Sequence, residues 1–133
     1  MKFLPKRCKY IGLDPYAGQR EFRLIGLGEC LPINTGTIDA VTFNTSLDHI
    51  LDYHTAIDEA HRVLKQRGTL IIASYAWVNQ ATLLTDEVHF HHFRENQIRA
   101  ALHGLFEITK VKRYEDPKNA EHRYGLYISA TKN

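Results

Sequence analysis

The stretch IDAVTFNTSLDHILDYHTAIDEAHRVLKQRGTLII, residues 38–72, decides the fold of this 133-residue chain. It contains a short apolar run, a polar corner, an amphipathic segment, a glycine and a second apolar run. Both apolar runs are continuous rather than alternating, which is typical of parallel strands that are covered on both faces. The pattern therefore predicts a βαβ unit with two parallel strands joined by a right-handed crossover.

The middle of this stretch has the spacing of a helix that buries one face. Asp52 or Thr55 is expected to cap its start. Gly68 is expected to end it in the left-handed conformation, with Lys65 and Arg67 complementing the helix dipole there. The apolar residues of the expected inward face are Ile57, Ala60, Val63 and Leu64.

Composition limits the class of protein. The length and a hydrophobic content of 44% predict a single domain over residues 1–133 with a small core. A net charge of +2 is too mild to predict a nucleic-acid partner, and no segment has the pattern of a membrane span or a signal peptide. Cys8 and Cys30 lie in different elements, which favours two reduced thiols and a cytoplasmic location, with a disulfide as the alternative.

Two shorter strands are predicted before this unit. Residues 9–14 form the first, which ends at Asp14 because proline follows. An acid at the carboxyl end of a parallel strand commonly binds a ribose, although Asp before Pro also occurs as a turn or cap residue. Residues 22–25 form the second strand, and the glycines at 26 and 28 permit either a tight turn or a close ligand.

After the unit, Ser74 to Trp77 is expected to leave the sheet, and residues 86–93 are expected to form a loop. A helix over residues 95–103 is expected to end at Gly104. Two alternating segments, near 106–114 and 124–130, then predict an antiparallel hairpin at the edge of an otherwise mostly parallel sheet.

The loop at 86–93 contains three histidines. His89, His91 and His92, with Asp86 or Glu87 nearby, offer ligand types that zinc accepts. Their spacing fits no usual zinc pattern, so a loop that faces solvent or a substrate pocket is the favoured interpretation, and no metal ligand is assigned from the sequence.

Four motifs follow one another in the chain: YIGLDP, then GLGECLPINTGTIDAVTFNTSLDHILD, then AIDEAHRVLKQRGTLII, and then HFHHF before a helix and a hairpin. In this order and spacing they resemble the Rossmann-like S-adenosylmethionine-dependent methyltransferases, in particular those that act on small molecules. The resemblance implies an α/β three-layer sandwich with a mostly parallel sheet and a C-terminal antiparallel hairpin. It also implies S-adenosylmethionine as the cofactor and a small molecule as the methyl acceptor.

The same resemblance implies a role for seven residues. Asp14 matches the acid that binds the ribose hydroxyls of the cofactor. His49 lies where the substrate would approach and is the candidate general base, with a hydrogen bond at a helix entry as the alternative role. The other cofactor-binding positions are Leu27 and Gly28 at the adenine, and Asn44, Thr45 and Ser46 beneath the methionine part.

One part of the family pattern is not found. Members begin with a helix and a central first strand that ends in a glycine-rich turn, and nothing before Tyr10 supplies these. The strands ending at Asp14 and Phe43 would then slide together or expose edges, and an exposed edge favours pairing with another chain. We therefore expect a homodimer or a rearranged sheet. The alternatives are an N-terminally shortened piece of a longer enzyme and a non-catalytic binding or assembly module.

Overall fold

A computed structural model describes residues 7–16, 23–78 and 87–133. These residues contain β1 (Gly12–Asp14), β2 (Arg23–Ile25), β3 (Ile38–Asn44), a one-turn 3-10 helix (Leu47–His49), α1 (Tyr53–Val63), β4 (Leu64–Trp77), α2 (Glu95–Leu102), β5 (Phe106–Glu115) and β6 (Arg123–Lys132). The predicted βαβ unit is thus confirmed as β3, α1 and β4. Neither α-helix of the described ranges is long and apolar enough to cross a membrane.

The sheet is divided into two parts. β1 pairs in parallel with β2, and the larger part has the strand order β3–β4–β6–β5. β3 and β4 are parallel as predicted, while β6 is antiparallel to both β4 and β5, which confirms the terminal hairpin. Within the described residues no strand joins β1 to β3, so each leaves one edge unpaired. Of the two arrangements expected for these strands, sliding together into one ladder is not observed among the described residues.

One face of the larger sheet forms the core with both helices. Alternate residues of β4 and β6 point toward that face, and the apolar stripes of α1 and α2 cover it. The opposite face of β3 is exposed at Ala40, Thr42 and Asn44. The fully buried members of the core include Leu70, Ile72, Leu126 and Ile128 from the strands, Ile57, Ala60, Ile98 and Leu102 from the helices, and Phe93 from the loop before α2.

The start of α1 agrees with the prediction from the sequence, and its end does not. Asp52 is the N-cap, and its carboxylate accepts the backbone N–H of Thr55 at 3.1 Å and the hydroxyl of Thr55 at 2.7 Å. The prediction that Gly68 ends the helix is wrong, because α1 ends at Val63 and the left-handed residue is Arg67, with φ of 61°. A Cβ atom at Gly68 would lie 2.8 Å from the carbonyl oxygen of Lys65. Glycine is therefore required at position 68 because a side chain has no room there, and not because of a left-handed φ.

A lysine far away in the sequence donates hydrogen bonds to the carboxyl end of α1. Lys132, the last residue of β6, donates from Nζ to the carbonyl oxygens of His61 at 2.6 Å and Leu64 at 2.9 Å. Lys65, which was expected to complement the dipole there, instead pairs with Asp39 on β3 at 2.7 Å. The last strand and the central helix are thus joined directly.

The prediction that Ser74 to Trp77 leaves the sheet is wrong. These residues continue β4 and pair with residues 123–126 of β6. Ser74 and Ala76 are buried and continue the alternation of the strand. On the other face the guanidinium of Arg123 lies 3.9 Å from the ring centroid of Tyr75. Side chains on both faces therefore support the extension.

The predicted helix over α2 and its stop at Gly104, with φ of 82°, are confirmed. Its first residue, Glu95, binds the terminal hairpin. The Glu95 carboxylate accepts two bonds from Arg113, at 2.6 and 2.8 Å, one from the hydroxyl of Tyr124 at 2.6 Å and one from Arg99 at 2.9 Å. The bonds from Arg113, then those from Tyr124 and Arg99, lower the pKa of Glu95 from 4.5 to about 2.

We predict that Glu95→Gln lowers the stability of the fold in a pH-dependent way. The folded pKa lies below the unfolded one, so the ionised Glu95 contributes its full stabilisation above about pH 4.5 and loses it as the pH falls toward 2. The expected loss is about 2–3 kcal/mol at pH 7 and less than about half of that at pH 3. Urea unfolding at the two pH values measures both.

Glu107→Gln, at an exposed acid on β5, is the matched control and should change stability by less than about 0.5 kcal/mol. An equal loss for Glu95→Gln at pH 7 and pH 3 would contradict the assignment of the stabilisation to the ionised carboxylate.

Candidate cofactor and acceptor site

Asp14 lies at the carboxyl end of β1, as predicted, and is half-buried. Its Oδ1 accepts the backbone N–H of Tyr16 at 2.9 Å. This is the turn interaction that the sequence left open as an alternative role. An ionised carboxylate has about four acceptor positions. The turn bond is therefore compatible with additional bonds to a diol.

The loop after β2 presents Leu27 and packs Gly28 inward. The Leu27 side chain is 56% exposed. A Cβ atom at Gly28 would lie 2.7 Å from Cδ1 of Ile50, so the backbone of Gly28 approaches the corner between β3 and α1 closely. Glu29 extends this contact, because its Oε1 accepts the backbone N–H of Asp52 at 3.2 Å. The two predicted adenine residues are thus adjacent to the start of α1.

A pair of charged residues on α1 holds the continuation of that loop. Arg62 donates to the carbonyl oxygens of Leu31 at 3.0 Å and Ile33 at 2.9 Å, and to Glu59 at 2.6 Å. Glu59 in turn accepts the backbone N–H of Leu31 at 2.8 Å. The bond from Arg62 also lowers the pKa of Glu59. Both residues lie outside the predicted apolar face of the helix, and their spacing carries no signal that distinguishes an anchor from an exposed ion pair.

Asn44 is the last residue of β3, and Thr45 and Ser46 follow it. Thr45 has φ of 48°, an uncommon conformation for a residue that is not glycine. Its backbone N–H donates to the carbonyl oxygen of Ala73 at 2.7 Å, and its hydroxyl donates to that of Asn44 at 2.8 Å. Thr45 also borders a cleft of about 230 Å³, which is otherwise lined by Ala73, Ser74, Tyr75, Tyr114, Gly125, Leu126 and Tyr127.

His49 occupies the corner between β3 and α1. Its side chain is 43% exposed. Nδ1 lies 3.0 Å from the carbonyl oxygen of Val88, so we assign the ring proton to Nδ1 as the donor of that bond. The lone pair is then on Nε2, which lies 4.0 Å from Oδ1 of Asp48. The hydrogen bond that the sequence named as an alternative is present, and it orients the nitrogen that a base would use.

The loop before α2 is bound to the same corner through Asp48. The backbone carbonyl of Asp48 accepts the N–H groups of Phe90 at 2.9 Å and His91 at 3.3 Å. The His91 ring lies with Nε2 3.0 Å from the carbonyl oxygen of Ile50 and 3.1 Å from that of Leu51. These contacts fix the position of residues 88–91 against the 3-10 helix.

The three histidines of this loop diverge. His91 bonds to the corner backbone, and His92 stacks on Trp77, with ring centroids 4.1 Å apart. His89 instead lies beside His49, with ring centroids 4.7 Å apart, and its Nε2 is 3.9 Å from Oδ2 of Asp48. The histidine set that the sequence considered for zinc therefore does not converge. Asp86, which was considered with it, lies outside the described residues.

The strand order and the polar groups after the carboxyl ends of β1 and β3 define a Rossmann-like α/β protein. Residues 3–72 match the family described as the methyltransferase domain, and this match covers more than half of the chain. The chain therefore belongs to the Rossmann-like S-adenosylmethionine-dependent methyltransferase family. None of the curated proteins matches it.

Solved structures support the fold. The chain is similar to the cyclase SpnF, with a TM-score of 0.72, 16% identity, and coverage of 83% of this chain and 55% of that one. A methyltransferase from Methanosarcina mazei has a TM-score of 0.63 and 18% identity, and the match covers 83% of this chain and 66% of that one. A third similar structure is the Burkholderia thailandensis 1,6-didemethyltoxoflavin-N1-methyltransferase, with bound 1,6-didemethyltoxoflavin and S-adenosylhomocysteine. Its TM-score is 0.68 and its identity 21%, and the match covers 84% of this chain and 50% of that one. The chain thus spans half to two thirds of these proteins' lengths.

Proposed function

We propose that this domain binds S-adenosylmethionine and transfers its methyl group to a small-molecule acceptor. The observation that carries the proposal is the position of the three predicted cofactor segments. Each segment lies at the carboxyl end of a strand, which is the ligand-binding end of strands in a Rossmann-like sheet. Asp14 and Asn44 are the last residues of β1 and β3, and the Leu27–Gly28 loop comes shortly after β2. The close approach of Gly28 to Ile50 places the second segment next to the corner that follows the third.

The side chains at these positions suit the parts of the cofactor that the resemblance assigns to them. The Asp14 carboxylate would accept both ribose hydroxyls, and the exposed Leu27 side chain would cover an apolar ring face. When bound, the cofactor supplies an electrophilic methyl group on a sulfonium. The protein's task in methyl transfer is then to position the acceptor in line with that group and to exclude water.

His49 is the proposed general base for an acceptor that must lose a proton. The bond from Nδ1 to Val88 orients the ring and leaves the lone pair on Nε2. Asp48 lies close enough, at 4.0 Å, to stabilise the charge that forms when Nε2 accepts a proton.

The surroundings of His49 support an acceptor with apolar surface. Leu51, Val88 and Phe90 are 70%, 68% and 52% exposed, and they belong to the two segments that are bonded together around His49. A few polar groups among apolar side chains is the usual composition of a small-molecule site. The solved Burkholderia thailandensis methyltransferase holds 1,6-didemethyltoxoflavin together with S-adenosylhomocysteine.

A non-catalytic binding or assembly module is the second candidate. The unpaired edges of β1 and β3 favour it, because a strand is a template for pairing with another chain. We propose that these edges pair between two copies of the chain in a homodimer.

We also propose a cytoplasmic location, which the two exposed free cysteines support.

The first prediction concerns the cofactor. Calorimetric titration of the chain with S-adenosylmethionine and S-adenosylhomocysteine should give micromolar binding. Asp14→Asn should weaken it at least about tenfold, because hydrogen bonds to a charged group contribute about 1.5–3 kcal/mol. Asp39→Asn, at an exposed acid of β3, is the matched control and should leave the affinity unchanged. Absence of binding by the intact chain would contradict the proposal and favour the module.

The second prediction concerns His49. Transfer of labelled methyl from S-adenosylmethionine into a pooled small-molecule extract should fall at least about 100-fold for His49→Asn, since general base catalysis contributes roughly 10²–10⁴-fold. Cofactor affinity should be unchanged, and His103→Asn, at an exposed histidine after α2, should behave as the unmodified chain. Equal transfer by His49→Asn would remove His49 from the mechanism.

The third prediction concerns the homodimer. Sedimentation velocity over a range of concentrations should show a dimer, because paired strand edges bury backbone groups that are otherwise unpaired. A single monomeric species at all concentrations would contradict strand pairing between copies. It would leave the proposal on the cofactor untouched.

A further inference from the structure

The 3-10 helix and the loop before α2 bring together one carboxylate and two imidazoles. Each of Asp48, His49 and His89 offers a ligand atom, and these three atoms lie within 4.8 Å of one another. The residues come from segments about 40 positions apart in the chain, which the bonds to the Asp48 carbonyl and the Val88 carbonyl hold together. We propose that they form a site for a divalent transition-metal ion, with Zn²⁺ as the ion to test.

The Asp48 side chain gives the first independent reason. Asp48 is mostly buried, with 8% of the residue and 12% of its side chain exposed, and its Oδ1 has no hydrogen-bond partner among the described residues. Burying an acceptor without a partner is unfavourable, and more so for a charged group. In the described structure the ring nitrogens of His49 and His89 lie 4.0 Å from Oδ1 and 3.9 Å from Oδ2, and both distances are longer than hydrogen bonds. A cation between the carboxylate and the rings removes this cost.

The orientation of His49 gives the second reason. A histidine that binds a metal through one nitrogen commonly donates its other N–H to a backbone carbonyl, which fixes the tautomer. His49 makes this bond from Nδ1 to Val88 and presents Nε2 toward Asp48. The metal-ligand geometry of the ring is therefore in place before any ion binds.

The ligand set and its spacing favour zinc. Two histidines and one carboxylate are a known donor set for a tetrahedral zinc ion that keeps its fourth position open. Zinc distances of about 2.0–2.2 Å imply about 3.3 Å between ligand atoms, so each of the three needs to move inward by less than about 1 Å. Small rotations of two partly exposed rings, 43% and 30% exposed, provide that movement. Calcium and magnesium prefer oxygen ligands and do not suit this set.

The metal site does not rest on the proposed methyl transfer. A bound ion would occupy Nε2 of His49, so the role of ligand and the role of base belong to different states of the chain. The test therefore measures metal binding and not activity.

The experiment is a zinc titration of the intact chain against a chromophoric chelator, in a Cys8→Ser/Cys30→Ser background so that the exposed thiols do not contribute. We expect one equivalent of Zn²⁺ per chain with micromolar or tighter affinity. The double variant His49→Ala/His89→Ala should bind at least about tenfold more weakly, and Asp48→Asn should also bind more weakly. His103→Ala is the matched control.

Thermal unfolding gives a second readout that also checks folding. Zinc should raise the unfolding temperature of the background chain and of His103→Ala, because a ligand that binds the folded state stabilises it. It should not raise that of the double variant, whose unfolding in the absence of zinc shows that it is folded. Failure of the background chain to bind zinc, or binding by the folded double variant with unchanged stoichiometry and affinity, would overturn the site.

Discussion

The carboxyl end of α1 is the point on which the rest of the fold depends. The helix passes into β4 with no loop, so its last carbonyl groups need partners from elsewhere. The amides of Gly36 and Thr37 donate to the carbonyls of Arg62 and Val63, at 3.0 and 2.9 Å, just before β3 begins. Lys132 supplies the adjacent carbonyls from the end of β6. One helix end thereby fixes both the entry into the βαβ unit and the position of the terminal hairpin.

What the sequence predicted well depends on neighbours in the chain. The parallel strands of the βαβ unit, the Asp52 cap, α2 with its Gly104 stop and the hairpin are all consequences of local periodicity and of cap or turn residues. The errors have distant causes. Ser74 to Trp77 remains in the sheet because β6 extends beside it, and the stop of α1 uses a lysine 68 residues beyond Leu64. No pattern within a short window contains that information.

The candidate site shows the same division. Two of its positions follow from the strand pattern, because Asp14 and Asn44 are the last residues of β1 and β3, each of which has a parallel partner. Which histidine of the loop lies beside the His49 ring does not follow from topology. The N–H groups of Phe90 and His91 donate to the Asp48 carbonyl and so fix the orientation of the loop. In that orientation His89, and not His91 or His92, lies beside the ring of His49. The equally distant anchor between Arg62 and the Leu31 carbonyl had no sequence signal.

The division of the sheet falls between the strands that carry the two halves of the proposed cofactor site. Asp14 ends β1 and Asn44 ends β3, and within the described residues no ladder of hydrogen bonds joins these strands. Their relative position therefore depends on the outer face of α1. On that face Arg62 and Glu59 hold the loop that continues from β2. Gly28 of the same loop packs against Ile50, which precedes the helix. Contacts of the loop after β2 with α1 and with Ile50, rather than sheet pairing, thus connect Asp14 to the corner that holds His49.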